Sequence, residues 1–283
     1  MSDAGRTRLA VLGSPIAHSK SPAIQAAAYR VLGLDWSYTA ADVTEDALAG
    51  FIADRDDAWR GLSLTMPLKR AVLPLLATTD PLVDLVGAAN TVRLDSDGVH
   101  GYNTDVYGVT QPLREAGVER VRLVHILGGG ATAASVVAAV AELGAERVLV
   151  RARTPERAAP LVELGDRLGV EVTARSIAME DRSLIVPDVI VSTLPGGASE
   201  GIVFPEAVRE GSLLFDVAYD PWPSELARAW AAVGGRVVSG LDMLVHQAVG
   251  QIRIWLNGDQ RVPLPNEPAV LAAMRAAVLK IQE

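Results

Sequence analysis

Apolar and polar positions alternate along this chain in two rhythms. Short apolar runs recur, and each is followed by a stretch with apolar residues at helical spacing. Leu9-Ala-Val-Leu12 opens the series as a buried strand. Ser21 suits an N-cap and Pro22 a first helical position, so a helix is expected to about Leu32, stopped by Gly33. Trp36–Val43 reads as a strand, Thr44-Glu-Asp46 as the start of a helix through Ala53, and Gly61–Thr65 as another strand. Pro67 then opens a helix through Leu76. This β-α-β-α-β-α order predicts a parallel α/β unit. After a short helix at Leu82–Val86, Asn90–Leu94 and Val99–Tyr102 flank the turn signal Asp95-Ser-Asp-Gly98 and predict a hairpin.

A helix from Asp105 to Ala116, ended by Gly117, reads as a connection between two domains. The stretch that follows, Val121–Ser135, is a buried strand that breaks at Gly128-Gly-Gly130 and restarts as an Ala/Val-rich helix. Arg147–Val150 closes a βαβ unit. Helix Pro155–Leu168, strands Val170–Thr173, Val189–Ser192 and Leu213–Val217, and helix Pro223–Val233 complete a second, doubly wound sheet. From Gly240 the pattern changes to two helices, Leu241–Leu256 and about Pro268–Ile281, which are expected to fold back on the first domain.

The glycine turn is the first sign of chemistry. Gly128, Gly130 and Ala133 fit the G-x-G-x-x-G/A spacing of a dinucleotide-binding turn. Gly128 permits the tight turn, Gly130 close approach of a pyrophosphate, and Ala133 close packing of helix on strand. The helix N-terminus offers free N–H groups and a positive dipole end. A NAD site usually ends its second strand in Asp or Glu; here the strand ends Val150-Arg-Ala-Arg-Thr154. Guanidinium groups match phosphate oxygens, so the expected cofactor is NADP, with Arg151, Arg153 and Thr154 on the 2′-phosphate.

Composition narrows the rest. The 283 residues suffice for two domains. The net charge of −8 disfavours nucleic acid and anionic membrane surfaces as partners. With no cysteine there is no disulfide or thiolate metal site, and no run is apolar and long enough to span a bilayer. The N-terminal segment has no apolar core of a signal peptide, and a cytoplasmic location is expected. No metal is expected, because no cluster of His and carboxylates has ligand spacing. Only Lys20, Lys69 and Lys280 stand among 23 arginines. Arg cannot give up its proton and Lys can, which draws attention to Lys20 and Lys69. Taken alone, Lys69 reads more readily as a solvated lysine in a first helical turn, and Asp105 most simply as an acid favoured by a helix N-terminus.

Several segments, in order, carry a family resemblance. They are Gly13-Ser-Pro-Ile-Ala-His-Ser-Lys-Ser-Pro22, Leu64-Thr-Met-Pro-Leu-Lys69, Gly87-Ala-Ala-Asn-Thr91, Asn103-Thr-Asp105, the glycine turn, Ala152-Arg-Thr154 and Gly240-Leu-Asp-Met-Leu-Val-His-Gln247. Over its whole length the chain resembles the shikimate dehydrogenases, which reduce 3-dehydroshikimate to shikimate with NADPH. The resemblance implies that Lys69 and Asp105 are the catalytic pair and that Ser19 and Ser21 hold the substrate carboxylate. It implies that Thr65, Asn90 and Gln247 hold ring hydroxyls, with Tyr219 near the substrate. It places Gly128, Gly129, Gly130 and Ala131 at the pyrophosphate and Met243 at the nicotinamide. For the serines the alternative is helix capping; for Met243 it is core packing. His100 and His125 read as structural.

The chain departs from the family pattern at Ser63, where Asn is frequent, at Ala131, where another Gly is usual, and at Ala152, where Asn is usual. A basic residue often found near Ala133 and Ala134 is missing. The expected architecture is two α/β domains with a cleft between them. The first is a parallel-rich mixed-sheet substrate domain of residues 1–105 and 240–283. The second is a Rossmann-like doubly wound NADP domain of residues 106–239. The enzyme is expected to act as a monomer or homodimer on a small molecule. Rival readings are a quinate or aminoshikimate dehydrogenase and a non-catalytic NADP-binding regulator.

Overall fold

The computed structural model describes residues 6–178 and 185–282, the last three by backbone alone, so the side chain of Lys280 lies outside it. The chain divides into two compact units. One runs to Thr104 and resumes at Leu244; the other is Asp105–Met243.

The first unit contains β1 (Thr7–Gly13), α1 (Ser21–Leu32), β2 (Trp36–Asp42), α2 (Glu45–Ala53), β3 (Trp59–Leu64), α3 (Leu68–Ala71), β4 (Thr78–Thr79), α4 (Pro81–Val86), β5 (Thr91–Asp95) and β6 (Gly98–Tyr102). Its sheet has the order β2-β1-β3-β5-β6-β4. The first three strands are parallel; β5 runs antiparallel to β3 and β6. The mixed sheet expected from the sequence is therefore present. Leu12, Leu48, Leu62, Leu64, Leu68 and Val92 form the core beneath the strand ends that matter for chemistry.

The second unit contains α5 (Asp105–Glu115), β7 (Leu123–Leu127), α6 (Ala131–Glu142), β8 (Arg147–Ala152), α7 (Ala159–Leu168), β9 (Glu171–Ser176), β10 (Val189–Ser192), α8 (Glu206–Gly211), β11 (Leu213–Asp216), α9 (Glu225–Ala231) and β12 (Val237–Ser239). Its sheet is parallel throughout, in the doubly wound order β12-β11-β10-β7-β8-β9. β7 is buried from Val124 to Leu127, as its unbroken apolar run demands.

Helices α10 (Gly240–Asn257) and α11 (Glu267–Gln282) end the chain. Their return to the first unit is observed. α11 packs on α1, and the Trp255 indole donates to Val92 O at 2.9 Å. Gly61 is required beneath that indole, because a Cβ there would strike it.

Local differences from the sequence reading have simple causes. The helix from Pro67 stops at Ala71 and gives way to a 3-10 turn at Leu73–Leu75, because Pro74 disfavours helical backbone before it. Lys20, not Ser21, is the N-cap of α1; Ser21 is its first helical residue. The elements β4, α8 and β12 are six residues or fewer, too short for a periodic signal. Among the described residues no helix is long and apolar enough to cross a membrane.

Candidate active site

In the first unit the C-terminal ends of β1 and β3 are sewn together. Thr65 N–H donates to Leu12 O at 2.9 Å and Ser14 N–H to Met66 O at 3.1 Å. A Cβ on Gly13 would collide with Thr65, so glycine is needed where the two strand ends meet. The fully buried Leu68 anchors α3 and leaves Lys69 half-buried in its first turn. The Lys69 carbonyl accepts from Ala89 N–H at 2.9 Å, which ties the lysine's backbone to the segment carrying Asn90.

Asn90 is a fully buried hub. Its Oδ1 accepts from Thr104 N–H at 2.8 Å and from Thr91 Oγ1 at 2.9 Å. Its Nδ2 donates to Thr104 Oγ1 at 2.9 Å and to Gln247 Oε1 at 3.0 Å. Its backbone carbonyl accepts from Leu64 N–H at 2.8 Å. One residue thus links β3 through its backbone, and β5, α10 and the segment leading to Asp105 through its carboxamide. Asp105 follows as the first residue of α5 and is 1% exposed. Asn103 supports that segment by donating from Nδ2 to Ala88 O at 2.9 Å.

Ser19 lies one residue before the N-cap Lys20 of α1. Its hydroxyl oxygen accepts from Ser21 N–H at 3.3 Å, while Lys20 offers no side-chain cap. Ser63 is committed within the protein: it accepts from the Tyr38 phenol at 2.7 Å and donates to Gln251 Oε1 at 2.9 Å. Burial pushes the Tyr38 phenol up, and its hydrogen bonds with Ser63 and Ser21 oppose that shift. A groove of about 730 Å³ lined by Trp36, Arg55, Trp59 and Trp255 lies at the opposite, N-terminal ends of these strands.

In the second unit the glycine turn is built from backbone. Gly128 has φ +105°, and a Cβ on it would strike the Thr193 hydroxyl. Its N–H donates to Arg151 O at 2.9 Å, continuing the β7–β8 pairing. A Cβ on Gly130 would meet open space, the room that a phosphate needs. Gly130 is the N-cap of α6 and brings no side chain to the helix's first N–H groups. Ala133 and Ala134 are buried in the first turns of α6.

The two arginines behave differently. Arg153 and Thr154 are exposed on the turn after β8. Arg151 is 5% exposed, with its guanidinium 5.5 Å from the centre of the Phe204 ring and Nη2 donating to Ile177 O at 3.2 Å. Arg151, within β8, is thus buried with its guanidinium against protein groups, where the sequence expects it on a phosphate. Of the three residues expected at the phosphate, Arg153 and Thr154 are the exposed ones.

Tyr219 is half-buried in the segment after β11, and burial pushes its phenol up. Just before it, the buried Asp216 accepts from the Ser224 hydroxyl and, at 3.2 Å, from Ala218 N–H. Ser224 in turn caps α9 by accepting from Ala227 N–H at 3.0 Å. Burial raises the Asp216 carboxyl above its ordinary value. Met243 is buried, 4% exposed.

His125 is buried within β7. His100 sits on the hairpin between the Thr78 hydroxyl at 2.7 Å and Asp97 at 3.0 Å. The hairpin brings one ligand-type atom each of Asp95, Asp97 and His100 within 4.8 Å of one another, a grouping that the sequence reading passed over. Asp95 is bound by Arg60 and Arg93, so these groups serve the hairpin. Sequence reasoning missed the Asp216–Ser224 support and the Tyr38–Ser63–Gln251 chain. The only trace of the latter is the Gln-x-x-x-Gln spacing of Gln247 and Gln251.

A doubly wound dinucleotide-type sheet in one unit and a gathering of lysine, threonine, asparagine and glutamine in the other define an NADP-linked α/β oxidoreductase. The comparisons with known proteins name the class more closely. A family model described as the shikimate dehydrogenase substrate binding domain matches residues 11–92. The shikimate dehydrogenase (NADP(+)) of Methanothermobacter thermautotrophicus is 33% identical over 263 residues, 90% of this chain and 93% of that protein. The crystal structure of Mycobacterium tuberculosis shikimate dehydrogenase superposes with a TM-score of 0.85 at 37% identity, covering 95% and 99% of the two chains. That of the Thermus thermophilus enzyme in complex with NADP(H) and shikimate gives 0.79 at 33% identity, covering 95% and 99%. The chain belongs to the shikimate dehydrogenase family.

Proposed function

We propose that this chain catalyses the reversible, NADPH-dependent reduction of 3-dehydroshikimate to shikimate, a step toward aromatic amino acids. The observation that carries this reading is the Asn90 hub, which ties Thr104 and Gln247 into one fixed array, with the neighbouring Ala89 N–H bound to the Lys69 carbonyl, in a member of this family. NADPH, when bound, supplies the hydride. The residues fit its anionic parts: the open space at Gly130, the uncapped first turn of α6 and the exposed Arg153–Thr154 pair.

Hydride addition to a ketone leaves charge on its oxygen. The Lys69 ammonium stabilises that charge and delivers a proton to the oxygen. The Asp105 carboxylate keeps the ammonium charged and in place. Ser19 and Ser21 hold the substrate carboxylate, and Thr65, Asn90 and Gln247 orient ring hydroxyls. The half-buried Tyr219 phenol serves as a neutral donor near the substrate. Met243 flanks the nicotinamide. The enzyme works as a monomer or homodimer in the cytoplasm.

The rival quinate reading is tested by following NADPH absorbance on adding 3-dehydroshikimate, then NADP reduction with shikimate and with quinate. The proposal expects turnover of 3-dehydroshikimate and shikimate, with quinate much poorer. Quinate turned over as well as shikimate would favour the rival. A folded protein inert toward all of them would end the enzyme reading.

A further inference from the structure

Gln251 lies one helical turn beyond Gln247 on α10, on the same helix face. It is 4% exposed. Two donors from different elements hold its carboxamide oxygen: Ser63 Oγ of β3 at 2.9 Å and Gln25 Nε2 of α1 at 3.1 Å. Ser63 is itself held by the Tyr38 phenol at 2.7 Å. The last torsion of a free glutamine is broad. Here two donors on one oxygen fix the amide plane and therefore the direction of the NH2 group.

That NH2 group has no protein partner among the described residues. It is also not one of the fully enclosed polar atoms lacking a partner. A nearly buried amide is thus anchored at its oxygen and left with an available donor nitrogen. The short Ser63, standing where relatives of this family often have Asn, is spent on anchoring that oxygen.

We propose that Gln251 is a substrate-reading residue of this chain: anchored by Ser63 and Gln25, its NH2 donates to the oxygen of a ring hydroxyl on a hydroxylated cyclohexene carboxylate. Ser63 and Gln25 are positioning residues that act through Gln251, and Tyr38 fixes the orientation of Ser63. The group recognised is a neutral acceptor, which suits a hydroxyl and not a cation. This rests on the reaction proposed above.

The test compares Gln251→Leu and Gln251→Glu with the parent enzyme. Gln251→Glu keeps the oxygen that Ser63 and Gln25 hold and exchanges the NH2 for an acceptor. Both variants should raise the KM for 3-dehydroshikimate about tenfold, the effect of one hydrogen bond of roughly 1.4 kcal/mol. The KM for NADPH should stay unchanged. Ser63→Ala should raise the same KM about threefold, and adding it to Gln251→Leu should cost no more than Gln251→Leu alone.

A second measurement does not depend on the Gln251 variants folding. Shikimate analogues lacking one ring hydroxyl each are compared as substrates of the parent and of Ser63→Ala. One analogue should show a penalty in the parent that shrinks in the variant. A Gln251→Glu variant with the parent's KM, or penalties identical in parent and Ser63→Ala, would overturn the inference. Absence of turnover by the parent would instead overturn the reaction itself.

Discussion

The two units prepare for their ligands by opposite means. The substrate unit works with side chains. Asn90, Thr91, Thr104 and Gln247 are interlocked by hydrogen bonds of 2.8–3.0 Å, and Tyr38, Ser63, Gln251 and Gln25 form a second chain beside them. The dinucleotide unit works with backbone: a glycine at φ +105°, a helix start with no side-chain cap, and empty space at Gly130. A ring bearing several hydroxyls demands donors and acceptors at set positions, which only branching side chains reach. A pyrophosphate demands close N–H groups, which side chains would obstruct.

The largest effect that can break this division falls on the side-chain unit. Lys69→Ala should lower kcat by about 10²–10⁴-fold with a much smaller change in the KM for 3-dehydroshikimate, as steady-state kinetics would show. An unchanged kcat would remove Lys69 from the chemistry.

In the backbone unit the effect should split between neighbouring glycines. Gly128→Val must adopt a left-handed backbone and displace Thr193, at a cost of about 2–4 kcal/mol, read as a lower Tm. Gly130→Ala places its methyl in open space. It should leave Tm near the parent's while raising the KM for NADPH. Equal Tm losses at both positions would contradict a phosphate space at Gly130.

Asn90→Ala comes next. It strands the buried Thr104 N–H and should cost about 1–3 kcal/mol of stability. The KM for 3-dehydroshikimate should rise and that for NADPH should not.

The smallest effect is a pH dependence in the second unit. Burial raises the Asp216 carboxyl in the folded state above its unfolded value of about 3.9. The native state then binds the proton more tightly. Stability from this group is fully present below about pH 3.9 and is lost as pH rises through the raised folded value. The Tm of the parent minus that of Asp216→Asn should therefore fall with rising pH above about 4. A difference that grows with pH would show the opposite sign.

The two sites were unequally legible in the sequence. Gly128-Gly-Gly130 between an apolar strand and an Ala/Val helix is a backbone signal, and spacing alone conveys it. The strand Val189–Ser192 coincides with β10 because an unbroken apolar run in a parallel sheet has few alternatives. Residue identity did not reveal direction. Arg151 and Arg153 look alike in sequence, but Arg151 lies within β8, in a parallel sheet covered on both faces, and is buried, whereas Arg153 lies past the strand's end on the exposed turn. Ser63 reads only as a departure from the family's frequent Asn, yet folding joins it to Gln251, 188 positions away. Nothing local encodes such a contact. Lys69 and Asp105 acquired their meaning from the family resemblance, since each alone fits an ordinary first helical turn.

The division of labour is tested most directly by kcat/KM for NADPH and for NADH with 3-dehydroshikimate, measured on the parent and on Arg153→Gln. The parent should turn over 3-dehydroshikimate with a strong preference for NADPH. Arg153→Gln should lose most of that preference while keeping the parent's KM for 3-dehydroshikimate. A parent that uses NADH as well as NADPH, or an Arg153→Gln variant that keeps the full preference, would contradict the account.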